Sequence, residues 1–281
     1  MTTSIDPTDT GSTSPGSARV RGHLSLIAIA VVCGFPLYWL VATSLRRPQD
    51  VSSLAPFPWP MSVENYVDAA DKVDLVRLLS NTFAVAAISA SGQLLVALLA
   101  SYAFAMFTFK FKGLLYLAFV GTWLVPFQVT MLPNYVLLYK LGLINNLAGV
   151  IVPTLCSALG VLMMRQHMTS FPKELVAAAK MDGRSSWSIL WTVVVPNLRP
   201  ALAALTILLF VNSWNEYFWP AVVLQRSNSV VQLGLRSFMG SEGNDWGPMM
   251  AVAGLACLPV FVLYAVLQKH IVNAFVRSGL K

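Results

Sequence analysis

The chain has 281 residues, 56% of them hydrophobic and only 11% charged, with a mean hydropathy of +0.66. Soluble domains carry about 25% charged residues, so 19 Lys and Arg with 12 Asp and Glu argue against a water-facing enzyme and for a bilayer as the solvent. The net charge of +7 is spread over short loops, which suits cytoplasmic loops facing anionic membrane lipid and not a nucleic-acid surface.

Residues 1–18 are Ser, Thr, Pro, Gly and Asp with almost nothing to bury. They read as a disordered cytoplasmic tail ahead of a transmembrane domain over 19–281. Arg19 and Arg21 then precede an apolar run, Leu24–Leu45, in the manner of a secretory signal. That run is longer than a signal core and no Ala-x-Ala site follows, so it is expected to stay as a span. A spanning helix needs about 20 apolar residues. Uncharged runs of that kind recur over Asn81–Phe109, Gly113–Tyr139, Leu141–Met164 and Trp246–Gln268, and Pro200–Gln225 is a further run broken by Glu216. The expectation is an all-α integral membrane protein of six transmembrane helices with no soluble domain attached. Pro36, Pro126, Pro133, Pro153, Pro220 and Pro259 are tolerable there because neighbouring helices re-satisfy freed carbonyls. The small residues Ala86, Ala87, Ser89, Ala90, Ser91 and Gly92 read as a close-packing stripe. Cys33, Cys156 and Cys257 all lie in apolar runs, too few and too buried for a disulfide framework or a metal site. No internal repeat relates the two halves, which counts against an inverted-repeat carrier.

Six spans put both termini on one side. With that side cytoplasmic, Lys110, Lys112, Arg165, Lys173, Lys180, Arg184 and Arg199 join the basic ends inside. Arg46, Arg47, Lys72, Arg77, Lys140, Arg226 and Arg236 fall outside, together with most of the acids. The positive-inside rule favours this orientation.

The stretch 165–196, between spans four and five, is not random linker. Pro172 opens a helix at its first turn, and Glu174 puts a negative charge where the helix dipole favours one. Ala177, Ala178 and Ala179 are strong helix formers. Gly183 ends the helix, and Ser185 or Ser186 can cap the next. Leu175, Ala178 and Ala179 fall on one side with Met181 nearby. Such a short helix suits a groove on another protein, and it equally suits the lipid surface.

On these residues the sequence resembles the membrane permease subunits of binding-protein-dependent ATP-binding-cassette importers, in the carbohydrate-uptake branch that includes maltose-transporter permeases. The family loop reads Glu-Ala-Ala, three residues, Gly, nine residues, Ile-x-Leu-Pro. Here Ala177, Ala178, Ala179, Gly183, Val193, Val195 and Pro196 stand at that spacing, preceded by Pro172 and with Asp182 before the glycine. Ala177 replaces the motif's Glu, and Glu174 lies one turn earlier on the same face. Further matches are Leu124–Pro133, Asn212–Pro220 and the closing Ser278–Lys281.

The resemblance implies a type I importer permease fold with a cytoplasmic coupling helix. Glu174, Ala177, Ala178, Ala179, Asp182, Gly183 and Pro196 would serve contact with the ATPase. It also implies a second permease subunit, an ATPase dimer, an extracytoplasmic sugar-binding protein and a multi-pass location in a prokaryotic cell membrane, with both termini cytoplasmic.

No Gly-Lys pair occurs, so the chain has no phosphate-binding loop. ATP would be bound by the partner ATPase and no cofactor by this chain. His-Glu-x-x-His and Gly-x-Ser-x-Gly are also missing, and His23, His167 and His270 sit at membrane edges. The sequence therefore points to a transporter subunit and not an enzyme. Trp214, Asn215, Glu216, Tyr217 and Phe218 are the candidates for lining a sugar pathway, with Gln128 and Asn134 as weaker ones. An interfacial aromatic belt and a structural Glu216 are the alternatives. Glu216 also keeps open a stand-alone ion-coupled carrier, and a glycerol phosphate remains an alternative cargo.

Overall fold

The computed structural model describes residues 15–225, 228–240 and 243–278, with side chains described for all of these except 15–19, 21 and 270–278. Residues 1–14 of the expected tail lie outside them. The remainder of that tail is helical: α1 runs Pro15–Ser44, with proline at the helix start, where its missing N–H costs nothing.

Among the described residues three helices are long and apolar enough to cross a membrane: α1 over Gly22–Ser44, α3 (Leu75–Met106) and α14 (Trp246–Ser278) over Trp246–Lys269. The other three expected spans are bent, and six crossings result if each bent pair is one span. The third run is not a single rod. Lys112–Leu124, containing α4 (Lys112–Gly121), meets α5 (Phe127–Lys140) at 95°. Pro126 is the cause: the residue before a proline is driven out of the helical region, and Val125 is extended at φ −79°, ψ 117°. The fourth run starts later than expected and reaches further. Its parts, Leu147–Thr154 with α6 (Leu147–Ile151) and α7 (Ala158–Thr169), meet at 43°. The fifth run belongs to a third bent pair, Ser186–Asn197 against Arg199–Val223, at 83°.

Helix α3 is the central post. It packs against α7 and against α11 (Arg199–Trp214), while α14 lies against α11 and α1. Small residues permit this, as expected: Ala86, Ser89 and Ala90 are buried, and a Cβ on Gly160 would lie 3.3 Å from that of Ala97. Among the described side chains of α1 only Ala42, Thr43 and Ser44, at its end, are buried within the chain, so the apolar surface before them is left for lipid or another subunit. Cys33 and Cys156 are exposed, not buried as expected, and among the described residues the cysteines are free.

The two ends of the molecule differ. At one, α2 (Glu64–Lys72), α13 (Val231–Gly234) and the start of α14 close around Ala69, Leu78, Val231, Phe238 and Val252. Asn65 ties this end to α1, its Nδ2 donating to the carbonyls of Ser44 (3.1 Å) and Arg46 (2.7 Å). At the other end lies the 165–196 segment.

Candidate functional site

The segment forms an elbow whose every joint has a local cause. Pro172 stands at the N-cap, and α8 runs Lys173–Met181. Asp182 is its C-cap, and Gly183 has φ +76°. The N–H of Gly183 donates to the Lys180 carbonyl (3.0 Å) and that of Arg184 to the Ala179 carbonyl (3.1 Å). These two bonds form a Schellman C-cap, which requires the left-handed conformation that glycine supplies. Ser185 Oγ then accepts from the Ser188 N–H (3.2 Å), capping α9 (Ser186–Ile189). A π-helical stretch, Leu190–Val194, precedes α10 (Val195–Asn197). Pro196 cannot supply an N–H to the turn before it, and the widened ladder upstream accommodates that loss.

The elbow is part of the body of the protein. Phe171, Val176, Ala179, Ile189, Leu190 and Val194 are buried in one apolar cluster with Leu98 and Tyr102 of α3, Met164 of α7 and Leu205 of α11. Tyr102 Oη also donates to the Ser186 carbonyl (3.0 Å). The face expected to carry Leu175, Ala178 and Ala179 together is therefore divided. Ala179 points into the core, whereas Leu175, Ala178 and Met181 are exposed, Met181 by 84%. Glu174, Asp182 and Gly183 are exposed as well. Ala177 lines a crevice with Lys112, Lys173 and Lys180 beside the end of α3.

The second site is a break in the fifth span. Helix α11 ends at Trp214, and α12 (Phe218–Val223) begins after Asn215, Glu216 and Tyr217. Glu216 Oε1 accepts from the N–H groups of Phe218 (2.9 Å) and Trp219 (3.2 Å), so its charge sits on the orphan donors of α12. Its side chain also borders a small cleft of about 130 Å³ shared with Ser89, Gln93, Thr154, Asn212 and Ser213.

The other expected residues go elsewhere. Trp214, 2% exposed, stacks on Phe210 at 5.5 Å and is core rather than lining. The neighbouring Trp219 is 1% exposed, with Nε1 donating to the Gly149 carbonyl (3.2 Å). Tyr217 Oη accepts from Arg236 Nη1 (2.6 Å). Asn215 and Phe218 are exposed, and Gln128 and Asn134 on α5 do not border the cleft. Sequence reasoning missed Ser89, Gln93 and Thr154. The signal was there in part: Ser89 with Gln93, and Asn212 with Glu216, are polar pairs at i, i+4 inside apolar runs. Among the described residues no cluster of three His, Cys, Asp or Glu is placed to hold a metal ion.

Residues 78–277, from α3 to near the end of α14, match the family described as binding-protein-dependent transport system inner membrane component. The chain is 30% identical to the sn-glycerol-3-phosphate transport system permease protein UgpE of Rhizobium meliloti (strain 1021), over 93% of this chain and 97% of that one. It is 29% identical to the arabinooligosaccharides transport system permease protein AraQ of Halalkalibacterium halodurans, over 90% and 93%. It is 30% identical to the lactose transport system permease protein LacG of Rhizobium radiobacter, over 91% and 93%. The fold is similar to that of a chain in the crystal structure of a bacterial ABC transporter involved in the import of the acidic polysaccharide alginate. There the TM-score is 0.80 at 22% identity, covering 94% of this chain and all of that one.

Proposed function

Since the chain belongs to the family of inner membrane components of binding-protein-dependent transport systems, we propose that it forms half of the translocation pathway of an ATP-driven carbohydrate importer, moved by separate ATPase subunits through the 172–196 elbow. The observation that carries this reading is the shared core: Val176, Ala179, Ile189 and Leu190 of the elbow are buried with residues of α3, α7 and α11. Close-packed interiors transmit displacement instead of absorbing it. A push on α8 therefore reorients the spans as a rigid body.

In this reading Glu174, Ala178, Asp182 and the exposed Leu175 and Met181 meet the ATPase, and Ala179 and Pro196 hold the elbow to the spans. Ala177, where the family motif has Glu, faces the lysine-lined crevice, and Glu174 supplies the acidic group one turn earlier. The remaining partners are a second permease subunit, an extracytoplasmic sugar-binding protein and membrane lipid. ATP is bound by the partner ATPase, consistent with the missing Gly-Lys pair. Both termini are assigned to the cytoplasm of a prokaryotic cell, on the side of α8.

A sugar as cargo is supported by the names of the AraQ and LacG relatives and by the polar cleft at Glu216. The UgpE relatives favour a glycerol phosphate as the second reading. An ion-coupled carrier has less support, because Glu216 is engaged as a helix cap.

The test is Gly183. A Cβ there would meet nothing within 4 Å, so a substitution acts through backbone conformation alone. Gly183→Val puts a β-branched residue at positive φ, at a cost of about 1–2 kcal/mol. It is expected to abolish ATP-dependent uptake while the protein still inserts and co-purifies. Gly183→Asn, which tolerates this conformation, is expected to keep most uptake. Full uptake by Gly183→Val would overturn the coupling role.

A further inference from the structure

At the end of the molecule opposite α8, a cavity of about 660 Å³ opens between the α2–α3 junction, the end of α12 and the α13 turn. Small-molecule sites span about 300–1,000 Å³. Among the described residues, the cations Lys72, Arg77 and Arg236 stand on its wall with the acid Asp74. Lys72 is ion-paired, its Nζ lying 2.5 Å from Asp245 Oδ2. Asp74 Oδ1 accepts from the backbone N–H of Arg77 (3.0 Å) and caps α3. Among the described residues, no carboxylate lies within ion-pair distance of either guanidinium.

Each guanidinium is oriented by a neutral group instead. Arg77 Nη2 donates to Asn228 Oδ1 (3.3 Å), and Arg236 Nη1 donates to Tyr217 Oη (2.6 Å). A guanidinium carries five donors in a fixed fork, so each keeps donors to spare. Pre-oriented guanidinia on the wall of a cavity suit planar or tetrahedral oxyanions, which accept two such bonds at once.

We propose that this mouth cavity binds an anionic group, a carboxylate or a phosphate ester, through Arg77 and Arg236. Its purpose rests on the importer reading: a solute arriving from outside meets this mouth before the break in the fifth span, to which Arg236 is joined through Tyr217.

The test is an equilibrium titration of the full-length chain, purified with the subunits that accompany it, in nanodiscs of phosphatidylcholine. The probes are glucuronate and sn-glycerol 3-phosphate, against their uncharged counterparts glucose and glycerol. The charged probes are expected to bind at least about tenfold more tightly. Arg77→Gln with Arg236→Gln is expected to reduce that preference to less than about twofold, and Lys at both positions, which keeps the charge but not the fork, to retain only part of it. Equal binding of charged and uncharged probes by the native protein, or a preference that survives the double Gln variant, would overturn the proposal. Phosphatidylglycerol added to the nanodiscs separates the two sources of the anion. Arginine-dependent loss of probe binding assigns the site to a lipid headgroup, and unchanged binding assigns it to a soluble solute; both support the site. No ATP or uptake enters the measurement, so its failure leaves the importer reading intact, and failed coupling at Gly183 leaves this site intact.

Discussion

Glu216 carries a charge inside an apolar stretch, and its carboxylate satisfies the first backbone donors of α12 at Phe218 and Trp219. Losing such a cap costs about 1 kcal/mol, which for a protein of this size lowers the melting temperature by about 2–4 °C. Glu216→Ala is expected to show that loss in detergent, whereas Glu216→Gln, which keeps an acceptor, is expected to melt close to the native protein and to retain ATP-dependent uptake. Uptake abolished in Glu216→Gln would instead give the ionised carboxylate a role in coupling. Gly149 sets a second residue-scale constraint. A Cβ there would stand 2.2 Å from the Leu143 carbonyl oxygen, a backbone atom that cannot swing aside. Gly149→Ala is expected to cost about 1–3 kcal/mol of overpacking and to disturb the Trp219 indole bonded to the Gly149 carbonyl, read as a shift in tryptophan emission. An unchanged emission and melting temperature would mean that the 143–149 turn yields freely. The charge at Glu216 was legible in the sequence because ionisable groups stand out in apolar runs. Its surroundings were not: Ser89, Gln93 and Thr154 reach it only through tertiary packing of α3 and the α6–α7 link, and a serine in a span looks the same whether it packs or faces a cleft.

At the scale of elements, hydropathy located the runs but not their axes. A run of apolar residues records that the chain is in lipid or core, and says little about whether it bends. The 95° turn at Val125–Pro126 has a legible cause, because proline restricts its predecessor. Yet Pro133 lies inside α5 and Pro259 inside α14, so proline alone does not say which run breaks. The two legs, 112–124 and 127–140, place their far ends about 26 Å apart at this angle, against about 40 Å for one straight helix at 1.5 Å per residue. Spin labels at Lys112 and Lys140 are expected to report the shorter distance, and Pro126→Ala is expected to shift the distribution toward the longer one. No shift would mean that packing of Phe127 on Trp219, at 5.4 Å, holds the bend without help from proline. The elbow was the most legible element, since its stops and caps are local chemistry: Gly183 and Ser185 act as their residue types suggest. Its expected outward face loses Ala179, which turns into the core, and keeps Leu175 and Ala178. Which side of a nine-residue helix is buried depends on where α3 and α7 stand, and the pattern there offered both Leu175 and Val176 as apolar choices.

For the whole molecule, one apolar cluster runs from the elbow into three spans, while the opposite end is closed by α2, α13 and the first turns of α14. On the proposed reading this polarity gives an importer a driven end and a receiving end. On the same reading it also separates the elbow residues from the arginine-lined mouth, so defects at those two places are expected to be independent. The family and the broad architecture were legible because spacing across 177–196 is a linear signature. The third and fifth runs, broken by Pro126 and at Asn215–Tyr217, required the three-dimensional structure. The most direct test of the account is photocrosslinking from position 181, whose methionine is the most outward apolar residue of α8, in membranes actively importing solute. Adducts with an ATPase subunit are the predicted result; adducts with phospholipid alone, while uptake continues, would contradict the account.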